Sequence, residues 1–208
     1  ATLLKHGLKT SGEIIIPDGV THINGWAFSS CSELTSVTIP DSVTYIGIFA
    51  FSDCSNLTTV NIPTSVTTIK RNAFYGTAFL NNQLNDQGFL IVNGILLDAK
   101  NIGGEITIPN TVIKINEAVF AERVALTSVI LPDGITEIGD EAFMECKNLV
   151  SINIPKSVTS IGRYAFTNVP LVIYDGTATN YSEWGAKKVV RSDGTVLYEN
   201  TDNSDDDE

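Results

Sequence analysis

Few residues in this chain are suited to catalysis or metal binding. Among 208 residues there are two histidines, His6 and His22, and three cysteines. Two histidines cannot build a metal centre alone, and neither HExxH nor CxxC occurs. There is no GxSxG elbow, no phosphate-binding loop and no GxGxxG between a strand and a helix. Basic residues are also scarce, 13 against 24 acidic ones, for a net charge of −11. Nucleic acids and anionic membrane surfaces need a basic face, so neither is an expected partner. Asp202, Asp205, Asp206, Asp207 and Glu208 crowd the last seven residues, which marks 200–208 as a solvated acidic tail. Without those five acids the body still carries −6. No apolar run reaches the length of a bilayer-spanning helix, so no membrane insertion is expected. The opening ATLLKHGLKT has neither an initiator methionine nor the apolar core of a signal peptide. The chain is therefore expected to be a mature product or a fragment.

What is abundant is one pattern. Leu34 to Asn56 reads LTSVTIPDSVTYIGIFAFSDCSN, and 23 residues later LTTVNIPTSVTTIKRNAFYGTAF follows. It returns as LTSVILPDGITEIGDEAFMECKN from Leu126 and as LVSINIPKSVTSIGRYAFTNVPL from Leu149. The common form is L-x2-V-x-I-P-x2-V-x2-I-x3-A-F-x2-C. Apolar residues at fixed offsets on such a period mark a solenoid, in which each coil packs only on its neighbours.

The spacing has physical reasons. Val37 and Ile39 alternate with Ser36 and Thr38, the period of a strand with one buried face. Pro40 lacks an N–H and stops the ladder. Val43 and Ile46 turn inward again. The next residue is Gly47, Gly139 or Gly162, or else Asn24, Asn93 or Asn116, all tolerant of positive φ, so a bend is expected there with Lys70 strained. Ala-Phe follows in a short helical or 3₁₀ turn, and Phe28, Phe51, Phe74, Phe120, Phe143 and Phe166 are expected to stack as a column. Cys31, Cys54 and Cys146 share one slot. Cys31 and Cys54 lie one coil apart, about 5 Å, within disulfide range. Small buried thiols are the simpler reading, with a disulfide or a metal as the alternatives.

The array is interrupted once. Pro63 and Pro109 are 46 residues apart, so one coil between them is disguised. Gln83 and Asn85 stand where apolar residues belong, and Asp86 where proline belongs. Phe89, Val92, Leu96 and Leu97 return to register. Asn93-Gly94 within FLIVNGILLD reads either as a type I′ hairpin, the preferred reading, or as the ordinary bend of a degenerate coil. After Pro170, LVIY is a strand, NYSEWGAKK resembles a short amphipathic helix, and VVRSDGTVLYE contains a second hairpin signal at Asp193-Gly194.

The recurring IP, AF and Cys offsets over residues 13–173 resemble the BspA-like, or Treponema-type, leucine-rich repeats of bacterial surface proteins. The resemblance implies a right-handed leucine-rich-repeat solenoid, β-rich with short helical or 3₁₀ turns, in about seven coils. It also implies secretion or cell-surface display and adhesion to a host matrix protein, a glycan or another cell. The expected layout is a single domain over 1–199. It has an N-terminal cap at 1–12, repeats at 13–78, an interrupted coil at 79–104, repeats at 105–173 and a C-terminal cap at 174–199. No catalytic residue, metal or cofactor is implied, and a monomer is expected.

The candidate binding residues are strand positions that point away from the core. They are Ser36, Thr38 and Asp41; Thr59, Asn61 and Thr64; Thr107 and Asn110; Ser128 and Asp133; and Ser151, Asn153 and Lys156. Glu13, Ile15, Asp18, Glu105 and Ile130 share that face. It is either a plain solvated sheet face or a shallow platform for a protein or glycan. Asp18 and Asp41, expected about 5 Å apart on adjacent coils, could hold calcium or act as a carboxylate pair. Turn-forming aspartate after proline explains them more simply. His22 reads as a surface residue. Tyr45, Tyr75, Tyr164, Tyr181 and Trp184 are the aromatics expected at the surface, away from the strand face. Two further readings stand beside adhesion: a structural spacer within a larger surface protein and, more remotely, a β-helix enzyme acting on polysaccharide.

Overall fold

The computed structural model describes residues 12–100 and 102–201. Most of the expected N-terminal cap and of the acidic tail therefore lies outside the described residues. The fold is a β-solenoid of about seven coils. It divides into two compact units, Ala1–Lys100 and Asn101–Glu208.

In the first unit, Gly12–Ile15, Leu34–Thr38 and Thr59–Asn61 form a parallel sheet. Its register aligns Ile14 with Val37 and Val37 with Val60. A narrower parallel sheet joins His22–Ile23, Tyr45–Ile46 and Thr68–Ile69. Val37, Ile39, Val43 and Ile46 fill the space between the sheets, each at most 2% exposed. The alternation in sequence thus becomes one buried and one free face, as a strand's two-residue period requires.

The Ala-Phe side is built differently from a helix. Amides of Ala27, Ser29 and Cys31 bond three residues back, as in tight turns. The alternate amides of Trp26, Phe28 and Ser30 bond across to Ile48, Ala50 and Ser52 of the next coil, at 3.0, 2.8 and 2.7 Å. Sending alternate N–H groups along the stack requires left-handed residues among right-handed ones. Trp26, Ser30, Phe49, Asp53 and Asn72 accordingly have φ between 53° and 61°. A left-handed L-residue costs about 1–2 kcal/mol, and the inter-coil hydrogen bonds offset it.

This corrects the expected bend after each isoleucine. Of the residues proposed for it only Asn93 has positive φ, and Lys70 is unstrained in this respect. Glycine recurs there because coils touch. A Cβ on Gly47 would lie 2.3 Å from the Gly25 nitrogen, and one on Gly139 would lie 2.7 Å from the Glu117 nitrogen.

The phenylalanines stack nearly parallel within each unit, as two groups of three. Phe28–Phe51 and Phe51–Phe74 are 5.1 and 5.5 Å apart, and Phe120–Phe143 and Phe143–Phe166 are 5.0 and 5.7 Å apart. The thiols are free. Cys54 Sγ–H donates to the Phe28 carbonyl at 2.9 Å, and Cys146 does the same to Phe120 at 3.0 Å. Cys54 and Cys146 are thus small buried donors to a carbonyl of the preceding coil, whereas Cys31 is half-buried. Burial pushes both thiols up to about 11.

The disguised coil resolves into a helix and a hairpin. Thr77 caps helix Ala78–Asn82, its hydroxyl accepting the Leu80 N–H at 3.1 Å. Phe79 and Leu80 are buried, and Phe79 packs tilted on Phe74 at 5.1 Å. Strands Phe89–Val92 and Ile95–Ala99 then pair antiparallel around Asn93 and Gly94, whose φ values of 51° and 77° are those a type I′ turn demands.

In the second unit, Gly104–Thr107 pairs with Leu126–Ile130, and Lys114–Ile115, Glu137–Ile138 and Ser160–Ile161 form the narrow sheet. Ser151–Ile154, Leu171–Tyr174 and Lys188–Val190 run parallel, and Val196–Glu199 returns antiparallel through the Asp193-Gly194 turn. The amphipathic helix expected in NYSEWGAKK is only a 3₁₀ turn, Tyr181–Glu183, followed by Gly185 at φ 75°. This segment imitates a further coil. Glu183 and Trp184 carbonyls accept the Tyr164 and Phe166 amides, and the Trp184 ring meets Phe166 edge-on at 6.3 Å.

Candidate binding face

Each wide sheet buries one row of side chains and frees the next. In the first unit Glu13, Ser36 and Thr59 form one outward row, and Ile15, Thr38 and Asn61 form another. Asp18, Asp41 and Thr64 follow at the corners and are exposed. In the second unit Ser128 lies opposite Glu105, and Ile130 opposite Thr107. Asn110, Asp133, Ser151, Asn153 and Lys156 are exposed as well. Of the candidate residues only Ser36 and Ser128 are half-buried.

Five hydroxyls are tied to the scaffold of the neighbouring coil. Ser42, Ser65, Thr44, Thr58 and Thr136 donate to backbone carbonyls of the neighbouring coil, at 2.8 to 3.4 Å. The candidate strand-face side chains form no hydrogen bond or ion pair with any described residue. Their polar atoms face water, as do the carboxylates of Glu13, Asp18 and Asp41. The first unit's face is therefore acidic and uncommitted.

Two features of the surface were missed in the sequence. The outward rows continue beyond the last template strand. Leu171 lies opposite Ser151 and Lys188, and Ile173 lies opposite Asn153 and Val190. With Ile130 at 61% exposure, they give the second unit's face an aliphatic character. The signal was the alternation LVIY, which continues the strand period without the proline. The second feature is aromatic. Trp184 is fully buried, contrary to its expected exposure, whereas Trp26 is 53% exposed and stacks on Phe49 at 5.8 Å. Trp26 and Phe49 each occupy the left-handed slot before alanine. His22, exposed as expected, lies 5.3 Å from the Tyr45 ring. Among the described residues no group of three or more His, Cys, Asp or Glu could hold a metal ion. No described helix is long and apolar enough to cross a membrane.

The BspA-type leucine-rich repeat region matches residues 7–92 and 99–177, in six copies. The chain belongs to the BspA-type leucine-rich-repeat family. Among solved structures it is similar to a leucine-rich repeat protein of Eubacterium ventriosum, with 25% identity over 86% of this chain and 66% of that one and a TM-score of 0.43. A leucine-rich cell surface protein of Faecalibacterium prausnitzii is 29% identical over 79% of this chain and 48% of that one, with a TM-score of 0.39. The Treponema pallidum leucine-rich repeat protein is 23% identical over 75% of each chain, with a TM-score of 0.35. The chain thus spans about two thirds of the Eubacterium protein and about half of the Faecalibacterium one. No curated protein sequence matches it. Within this chain the apolar positions that recur every 23 residues are buried, and the strand-face residues vary from coil to coil.

Proposed function

We propose that this BspA-type array is a non-enzymatic binding module, secreted or displayed at a cell surface, that engages a partner through its strand face. The observation that carries the reading is the division of hydroxyls. Ser42, Thr44, Thr58, Ser65 and Thr136 are committed to the scaffold, whereas Thr38, Thr59 and Thr107 on the strand face are exposed and unbonded. The first unit's strand face combines free polar groups with Ile15, and the second unit's does so with Ile130, Leu171 and Ile173, mixtures suited to a protein surface. Among the described residues of either strand face there is no exposed aromatic ring on which a sugar could stack, which favours a protein partner over a glycan. Glu13, Asp18 and Asp41 favour a partner with a basic patch.

The test is a screen of immobilised matrix proteins and glycans with the intact chain. The reading expects a protein ligand whose association weakens as salt rises, because exposed charges are screened. Absence of any ligand would favour the second reading, a spacer carrying other domains, for which the family's extended repeats provide the support.

A further inference from the structure

Asn93 does more than form a turn. Its Nδ2 donates to the Pro63 carbonyl at 2.8 Å and to the Val66 carbonyl at 3.1 Å. These two bonds tie the tip of hairpin Phe89–Ala99 to the corner of the coil that contains Pro63. The hairpin covers that coil with Leu90 and Ile95, 1% and 3% exposed, which share a buried cluster with Val66 and Ile69. Glycine follows, with no Cβ to shield its amide. Asn-Gly is the pair in which a backbone nitrogen most readily attacks the preceding side chain.

We propose that Asn93 is a latch with a one-way chemical release, an Asn-Gly deamidation site that the folded hairpin protects. In the reaction the Gly94 nitrogen bonds to Asn93 Cγ, and the Cγ–Nδ2 bond breaks. Nδ2 departs as ammonia, taking up the proton the Gly94 amide loses. Water then opens the five-membered imide at either carbonyl, giving aspartate or isoaspartate. No oxidant or cofactor is needed. While latched, Nδ2 is held toward Pro63 and Val66, so the side chain cannot swing onto Gly94. Once the hairpin lifts and the reaction occurs, the latch cannot re-form. A carboxylate has no N–H to donate and would face two carbonyl oxygens, and isoaspartate adds a methylene to a turn that admits two residues. Conversion thus frees the tip of the hairpin from the Pro63 corner and brings Leu90 and Ile95 within reach of solvent.

The experiment is peptide mass spectrometry with isoaspartate detection, on the intact chain incubated at mildly alkaline pH, folded and in urea. Conversion at Asn93 is expected to be at least about ten-fold slower in the folded protein, since two hydrogen bonds must open first. Equal rates in both conditions, or no conversion in urea, would overturn the proposal. Asn93→Asp then tests the consequence by hydrogen exchange. Residues 89–99 are expected to exchange about ten-fold faster or more, while Leu34–Asn61 keeps its protection. Unchanged exchange at 89–99, or an equal loss of protection throughout, contradicts the latch. Should Asn93→Asp fail to fold, the comparison of folded and unfolded wild type still decides.

Discussion

A methyl group on Gly47 would sit 2.3 Å from the amide nitrogen of Gly25. Gly47→Ala should therefore lower stability by about 1–3 kcal/mol through overpacking. Gly19→Ala, at φ 85° with open space around it, should lose only about 1 kcal/mol. Phe51 is fully buried between two rings, so Phe51→Ala should lose about 3–5 kcal/mol. Thr38→Ala, exposed and unbonded, should stay within about 0.5 kcal/mol. Urea midpoints of the four variants check all of these values, and equal shifts for Phe51 and Thr38 would refute the inward and outward assignment. The thiols make a pH prediction. Burial raises Cys54 and Cys146 from 9.0 to about 11. Between those values the unfolded chain releases protons that the folded chain keeps. Their contribution is thus whole below pH 9 and declines as pH rises toward 11. A Cys54→Ala/Cys146→Ala variant should show a shallower loss of midpoint over that window.

Elements were legible where a local rule governs them and hidden where neighbours decide. Val37, Ile39 and Pro40 announce a strand and its end through period and a missing N–H. Asn93-Gly94 announces its hairpin because few other pairs accept two positive φ values. The left-handed slots could not be read, since Trp26, Phe49 and Tyr164 are poor candidates for that conformation. Bonds to the next coil impose it, and those bonds exist only after stacking. Helix Ala78–Asn82 spans five residues, too few to show a helical period. Its cap was the only local clue. Thr77 is 1% exposed and also bonds the Phe74 carbonyl at 2.7 Å, so Thr77→Ala should cost about 1–2 kcal/mol by thermal unfolding. One further signal went unread. GEIIIP from Gly12 and GEITIP from Gly104 are nearly the same, and each opens its unit with a positive-φ glycine and a one-residue register shift. In both, the Gly amide bonds one coil onward, to Glu33 and Ala125, at 2.8 and 2.6 Å.

At the scale of the molecule, the repeat accounts for nearly every buried residue and for almost none of the function. Period and composition locate the strand face because every second strand residue must leave the core. They do not reveal a ligand, because freedom from scaffold duties is all that Ser36, Thr59, Asn61 and Asn153 share. The aliphatic extension through Leu171 and Ile173 and the exposed Trp26 appeared only when burial was known. The most direct test is binding to the matrix-protein ligand found by screening, measured for the wild type, Thr38→Lys/Asn61→Lys and Ser55→Lys/Tyr75→Lys. All four positions are exposed, the first pair on the strand face and the second on the turn side. The account predicts unchanged unfolding midpoints for both variants, with binding lost only in Thr38→Lys/Asn61→Lys. Binding retained by that variant, or lost only when the turn side is altered, would contradict it.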